Sequence, residues 1–165
     1  MVIAERAHVP ADERAKFEAD FRDVSRSAFL LARQLGRDTD AAADVVQEAA
    51  LRAWTYRRTR TGEFRPWFLA IVYRAARGRI RDWVPLPAAW DAAAPDPITT
   101  AIDPELLQAL RALPPRQRAA MWLRYCEDMS TSDVARIIRC TEPAAKQLLM
   151  RAREALRGRL EQEGT

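Results

Sequence analysis

The chain has 165 residues, 48% of them hydrophobic and 30% charged, with a formal net charge of +4. That is enough apolar material for one compact domain or two small ones, which excludes disorder throughout. No apolar run approaches the roughly 20 residues of a bilayer span, and "MVIAERAHVPADER" lacks a hydrophobic signal core, so no membrane span and a soluble intracellular protein are expected.

The basic excess is concentrated in one segment. Between Arg52 and Arg81 stand nine arginines and one acid, Glu63, so that segment carries +8 and the remainder −4. Such a concentration points to an acidic partner more than a spread-out charge does. Cys126 and Cys140 are too far apart for a CxxC motif, and His8 is the one histidine. No metal site is expected; buried free thiols are.

In chain order, Phe17, Phe21, Val24, Ala28, Leu31 and Leu35 recur at alternating steps of four and three, predicting a long amphipathic helix that closes at Gly36. Asp38 or Thr39 caps a second helix, running to about Tyr56. It carries an apolar stripe of Val46, Ala49, Ala50, Ala53 and Trp54. Beside that stripe Asp44, Gln47 and Glu48 share one face at i, i+3 and i+4. "RRTRTGEFR" then breaks the chain at Gly62, and Pro66 stands in the first turn of a third helix bearing Trp67, Phe68, Ile71, Val72, Ala75 and Ile80. Arg74, Arg77 and Arg81 form a basic stripe on it, near Arg65 and the aromatics Phe64, Trp67, Phe68 and Tyr73.

From Trp83 to Pro104 the composition changes, with five of the ten prolines, three aspartates and no basic residue. This reads as an extended linker. Four helical segments follow: "PELLQALRAL", "PPRQRAAMWLRYCED", "STSDVARIIR" and "TEPAAKQLLMRAREALRGRL". Pro114 and Pro115 open the second, Ser130 caps the third and Thr141 the fourth. Two helices joined by "RCT" before a longer basic helix have the form of a helix-turn-helix. No stretch alternates as a strand does. The expected fold is all-α, with two small helical domains at 13–83 and 104–161, a proline-rich linker at 84–103 and tails at 1–12 and 162–165.

"ADVVQEAALRAW", "FRPWFLAIVYRAARGRIR" and "LPPRQRAAMWLRYCEDMSTSDVARIIRCT…RAREALR", in that order around a proline-rich linker, resemble the extracytoplasmic-function (ECF) sigma factors of bacterial RNA polymerase, in the sigma-70 family. The resemblance runs from about Phe17 to Leu160. It implies that Asp44, Gln47 and Glu48 dock on the clamp helices of the polymerase's largest subunit. It implies that Arg65, Tyr73, Arg74, Arg77 and Arg81 meet the melted downstream (minus-ten) promoter element, where cations beside aromatics suit single strands. Lys146, Gln147, Met150 and Arg151 match positions that face the upstream (minus-thirty-five) duplex, with Leu149, Ala152 and Leu156 in the core. Trp54, Trp67 and Phe68 read as core residues.

This sequence departs from the family's pattern at several positions. Arg74 and Gly78 replace a common asparagine and aspartate, Arg139 the turn glycine, and Ala144, Ala145 and Leu148 polar or β-branched residues. Ala41, Ala42 and Ala43 stand where acids are frequent. Few groups of the last helix can hydrogen-bond base edges, so phosphate contact and shape readout are expected to dominate there.

The resemblance implies a non-enzymatic initiation factor without cofactors, cytoplasmic and at the nucleoid when in holoenzyme, with promoter DNA, core polymerase and an anti-sigma protein as partners. A lone histidine and no Gly-rich phosphate loop fit that expectation. The sequence is also compatible with two alternatives: a stand-alone helix-turn-helix regulator, and a sigma-like adaptor or decoy that has lost promoter reading.

Overall fold

A computed structural model describes residues 10–78 and 103–163, and every regular element among them is helical. The first half holds α1 (Ala11–Gln34), α2 (Thr39–Tyr56), a short 3-10 turn (Arg57–Thr59) and α3 (Phe64–Arg77). The second holds α4 (Pro104–Arg111), α5 (Pro115–Met121) continued by a π-helical turn (Trp122–Cys126), α6 (Thr131–Ile138) and α7 (Glu142–Glu163).

Local chemistry sets these boundaries. At the end of α1, Gly36 takes φ +87°, and the Gly36 and Arg37 amides donate to the carbonyls of Arg33 and Ala32. This is the glycine-terminated arrangement that satisfies the last helical carbonyls. Asp38 then caps α2, its Oδ1 accepting from the Ala41 amide at 2.8 Å. Asp103 caps α4 by accepting from the Glu105 amide, and Ser130 caps α6 by accepting from Asp133. Thr141 Oγ1 accepts more loosely from Ala144, at 3.3 Å, at the start of α7. Arg139 does turn the helix-turn-helix without glycine, in the left-handed region at φ 58°, ψ 58°. An L side chain is held there at a cost of order 1–2 kcal/mol.

α1, α2 and α3 pack on one another around Val24, Leu31, Leu35, Val45, Phe68 and Val72. The alanines of α2 at 42, 49 and 53 are wholly buried, and their small size lets its neighbours approach closely. The aromatics close one end of this bundle: Phe17 meets Trp54 and Phe64 edge-on, with centroids 5.1 and 5.5 Å apart, and Phe64 stacks on Phe68. In the second half α7 rests on α4, α5 and α6 through Ala145, Leu149, Ala152 and Leu156.

Two expectations change, and a third lies outside the described residues. The segment after Pro115 is not one α-helix, since it widens into a π-turn from Trp122. The thiols are free but not buried: Cys126 is exposed and Cys140 partly so. The third helix ends at Arg77 among the described residues, and its expected continuation through Ile80 lies outside them, as do His8 and the linker from Trp83 to Ile102.

The halves are also in contact. α3 packs against α6, α1 against α5 and the π-turn, and the buried apolar residues of both halves form one continuous cluster.

Candidate protein and nucleic-acid interfaces

The polar face of α2 follows from its periodicity. With Ala42, Val45, Val46, Ala49 and Ala53 turned inward, Asp44 and Gln47 are left exposed and Glu48 half-buried. Glu48 Oε1 takes an ion pair from Arg52 at 2.7 Å, so the acidic face carries its own counter-charge at one edge. Leu51 is 72% exposed on the same side, seven residues beyond Asp44. Sequence reasoning passed over it, although the i+7 spacing from Asp44 put it there. An exposed leucine one turn beyond Gln47 and Glu48 adds apolar surface at the C-terminal end of this polar face, a mixture of the kind that protein interfaces use.

The basic segment is less basic in space than in sequence. Arg57 Nε donates to Glu13 Oε1 at 2.8 Å while its guanidinium lies 3.9 Å over the Trp54 ring. Arg58 reaches the same carboxylate at 3.6 Å, and Arg60 reaches Asp20 at 3.8 Å. Arg65 bonds Ser27 Oγ at 2.9 Å and pairs with Glu127 of the second half. So the acids that balance these arginines come from α1 and from beyond the linker.

Of the expected downstream-element residues, Arg74 and Arg77 are exposed on α3 and have no acid partner among the described residues. Arg74 Nε donates to the Ala70 carbonyl at 3.2 Å, and Arg77 lies 5.7 Å from the Tyr73 ring centroid. Tyr73 itself is 1% exposed. In this conformation its ring is a packing element, unavailable for stacking on a base, and Arg65 is tied to Glu127. Arg81 lies outside the described residues, so the stripe is described at two positions.

On α7, Lys146, Gln147, Met150 and Arg151 all face solvent, opposite the buried Ala145, Leu149, Ala152 and Leu156. Lys146 Nζ sits 3.3 Å from Glu142 one turn earlier. Met150 is 46% exposed. Ala144 is exposed, Ala145 belongs to the core and Leu148 is half-buried against it. Arg153, beside this face, donates to the Tyr125 hydroxyl at 2.7 Å. The helix thus presents two cations, one amide and one thioether, a set that can bind phosphate and contact a base edge.

Among the described residues no cluster of three or more His, Cys, Asp or Glu could hold a metal, and no helix is long and apolar enough to cross a membrane.

Residues 21–83 match the family described as Sigma-70 region 2, and residues 104–156 match Sigma-70, region 4. The chain is 30% identical over 146 residues to the probable RNA polymerase sigma factor RfaY of Xanthomonas campestris pv. campestris, covering 79% of this chain and 36% of that protein. It is 28% identical over 154 residues to the ECF RNA polymerase sigma factor SigJ of Mycobacterium tuberculosis, covering 84% and 49%. The matches therefore span less than half the length of these curated relatives. Its fold is similar to that of the sigma factor RpoE, solved with the anti-sigma factor NepR from Bartonella quintana, with a TM-score of 0.64 at 21% identity over 88% of this chain and 97% of that one. With region 2 and region 4 in order on two helical halves, the chain belongs to the sigma-70 family, among its extracytoplasmic-function sigma factors.

Proposed function

We propose that this chain is a transcription initiation factor that joins core RNA polymerase and directs it to a subset of promoters. The observation that carries the reading is the exposure, on separate halves of a sigma-70 family chain, of one polar face on α2 and another on α7. Asp44, Gln47 and Glu48 meet the clamp helices of the polymerase's largest subunit, where carboxylates opposite a basic partner steer association and fix register. Leu51 adds apolar surface at one end of that contact, where desolvation contributes to the binding energy.

Lys146 and Arg151 hold the phosphates of the upstream duplex, and Gln147 and Met150 face its base edges. Arg74 and Arg77 grip the non-template strand of the melted downstream element, with Arg81 extending that grip and Arg65 joining it only by giving up its pair with Glu127. The working units are residues 13–83 and 104–161, joined by 84–103. The factor itself carries out no polymerisation, and it acts in the cytoplasm, at the nucleoid when in holoenzyme. Its inhibitor is an anti-sigma protein, a partner of the kind with which the similar RpoE was solved.

Run-off transcription with core polymerase, with and without this protein, tests the reading. Protein-dependent transcripts from a promoter subset are expected. Duplex binding without any polymerase dependence would favour a stand-alone regulator. Polymerase binding without promoter selection would favour the adaptor.

A further inference from the structure

Met150 is one of four large apolar side chains left exposed among the described residues, and it stands on the solvent-facing side of α7. The core of this half is filled from the opposite side of the helix by Ala145, Leu149, Ala152 and Leu156. Ala144, Gln147 and Met150 recur every three residues and are all exposed, so they form one inclined row on the helix surface. Neighbours in that row are about 4.5 Å apart along the axis. One base-pair step is about 3.4 Å. With α7 in a major groove, where the first turns of a recognition helix meet base edges, neighbours in the row therefore fall on neighbouring base pairs.

The chemistry of the row is selective. A major groove distinguishes its base pairs by donors, acceptors and the thymine 5-methyl group. Gln147 carries on one amide the acceptor and the donor that match adenine N6 and N7. Ala144 and Met150, on either side of it, offer only carbon and sulfur, which favour a thymine methyl over the bare edge of cytosine. Guanine instead calls for a cation aimed at O6 and N7. Of the two on this side of α7, Lys146 is held 3.3 Å from Glu142, and Arg151 lies outside the row. Glu142, the acid of the first turn and the group able to accept from cytosine N4, is engaged in that same ion pair.

We propose that α7 selects an upstream element of A·T pairs through thymine methyls: Met150 and Ala144 pack on 5-methyl groups at the two base pairs flanking an adenine held by Gln147. The inference rests on the promoter-reading function proposed above, and it names the bases that this site takes. Met150 contributes more than Ala144, because its long, polarisable thioether adapts to the position of the methyl. The contact is apolar, so it adds base preference without adding to the salt dependence that Lys146 and Arg151 supply.

The test uses holoenzyme assembled from core polymerase and the whole chain. Promoter duplexes with a randomised upstream element are selected by binding, and three consecutive A·T pairs are expected to be enriched. Replacing their thymines by uracil removes the methyl and leaves the hydrogen-bonding edge unchanged. Affinity should then fall about fourfold for each methyl contacted, the value of one buried methyl group. Met150→Ala should lose about as much on the thymine duplex and lose nothing further with uracil at its position, whereas Met150→Leu should keep the methyl preference. Gln147→Ala should relax the adenine position alone. Equal affinity of the unsubstituted chain for thymine and uracil duplexes would overturn the inference, as would selection of G·C pairs that Arg151→Ala abolishes. So would uracil sensitivity that persists in full in Met150→Ala. The uracil comparison needs no variant, so it decides the methyl contact however the variants fold. Absence of any upstream preference would overturn the promoter-reading function and this inference together, whereas intact selection without methyl sensitivity would overturn the inference alone.

Discussion

Arg57 Nε lies 2.8 Å from Glu13 Oε1, joining the first turn of α1 to the turn that ends α2. The hydrogen bond from Arg57 holds the Glu13 carboxyl below its ordinary value of 4.5, with Arg58 adding to the effect. A carboxyl with a lowered folded pKa contributes stability that is present above the unfolded value and lost as pH falls through the folded one. Glu13→Gln should therefore lower the thermal midpoint at pH 7, and the gap to the unsubstituted chain should close as pH drops below about 4.5. Melting curves across that range check it; a gap independent of pH would show that the ion pair contributes nothing.

The α2 face yields a prediction that separates docking from folding. Asp44→Lys with Glu48→Lys should abolish co-purification with core polymerase, while helicity is retained and stability changes by no more than about 1 kcal/mol, because the Glu48–Arg52 pair is solvent-accessible. Leu51→Ser should weaken the same association about tenfold, the effect of removing a modest hot spot. Unchanged polymerase affinity in both would remove this face from the docking surface.

For α3, replacing Arg74 and Arg77 with alanine should weaken holoenzyme binding to the non-template single strand more than to closed duplex. Each lost phosphate contact should lower the salt slope on the single strand by about 0.7. Equal losses on both substrates would point to general electrostatics. A Tyr73→Phe substitution makes the complementary check. Its ring is buried, so strand affinity should not change.

The helices were legible because their signals are local. Asp38, Gly36, Ser130 and the four-and-three spacing of Phe17 through Leu35 each act within a turn or two, and each boundary appears where that chemistry put it. The two polar faces were legible for the same reason, since a helix with Val45 and Ala49 inward has Asp44 outward. What the sequence hid was pairing at a distance. Glu13 and Asp20 pair with arginines about 40 residues away, and Glu127 takes Arg65 from across the linker, so part of the segment's +8 is offset in the fold by acids distant in sequence. Periodicity gave no warning that Tyr73 would be buried, because α3 packs against α6 as well as α1 and α2.

The last prediction concerns Lys146 and Arg151, which share an exposed face but differ in their neighbours. Lys146 lies 3.3 Å from Glu142, so reaching a phosphate means giving up an existing ion pair, whereas Arg151 has none among the described residues. A neutralised phosphate contact contributes about 0.9 to the slope of log affinity against log salt on duplex DNA. Arg151→Ala, measured in holoenzyme on a duplex carrying the upstream element, should lower the slope by about that amount. Lys146→Ala should lower it by less, because the free lysine is already partly neutralised. Neither should reorder preference among promoter variants, since phosphate contacts position the helix while base contacts specify. Reordering in either variant would make that residue a base reader. An unchanged slope in both, with transcription intact, would reject upstream-element binding by α7 and leave the adaptor as the better account of the chain.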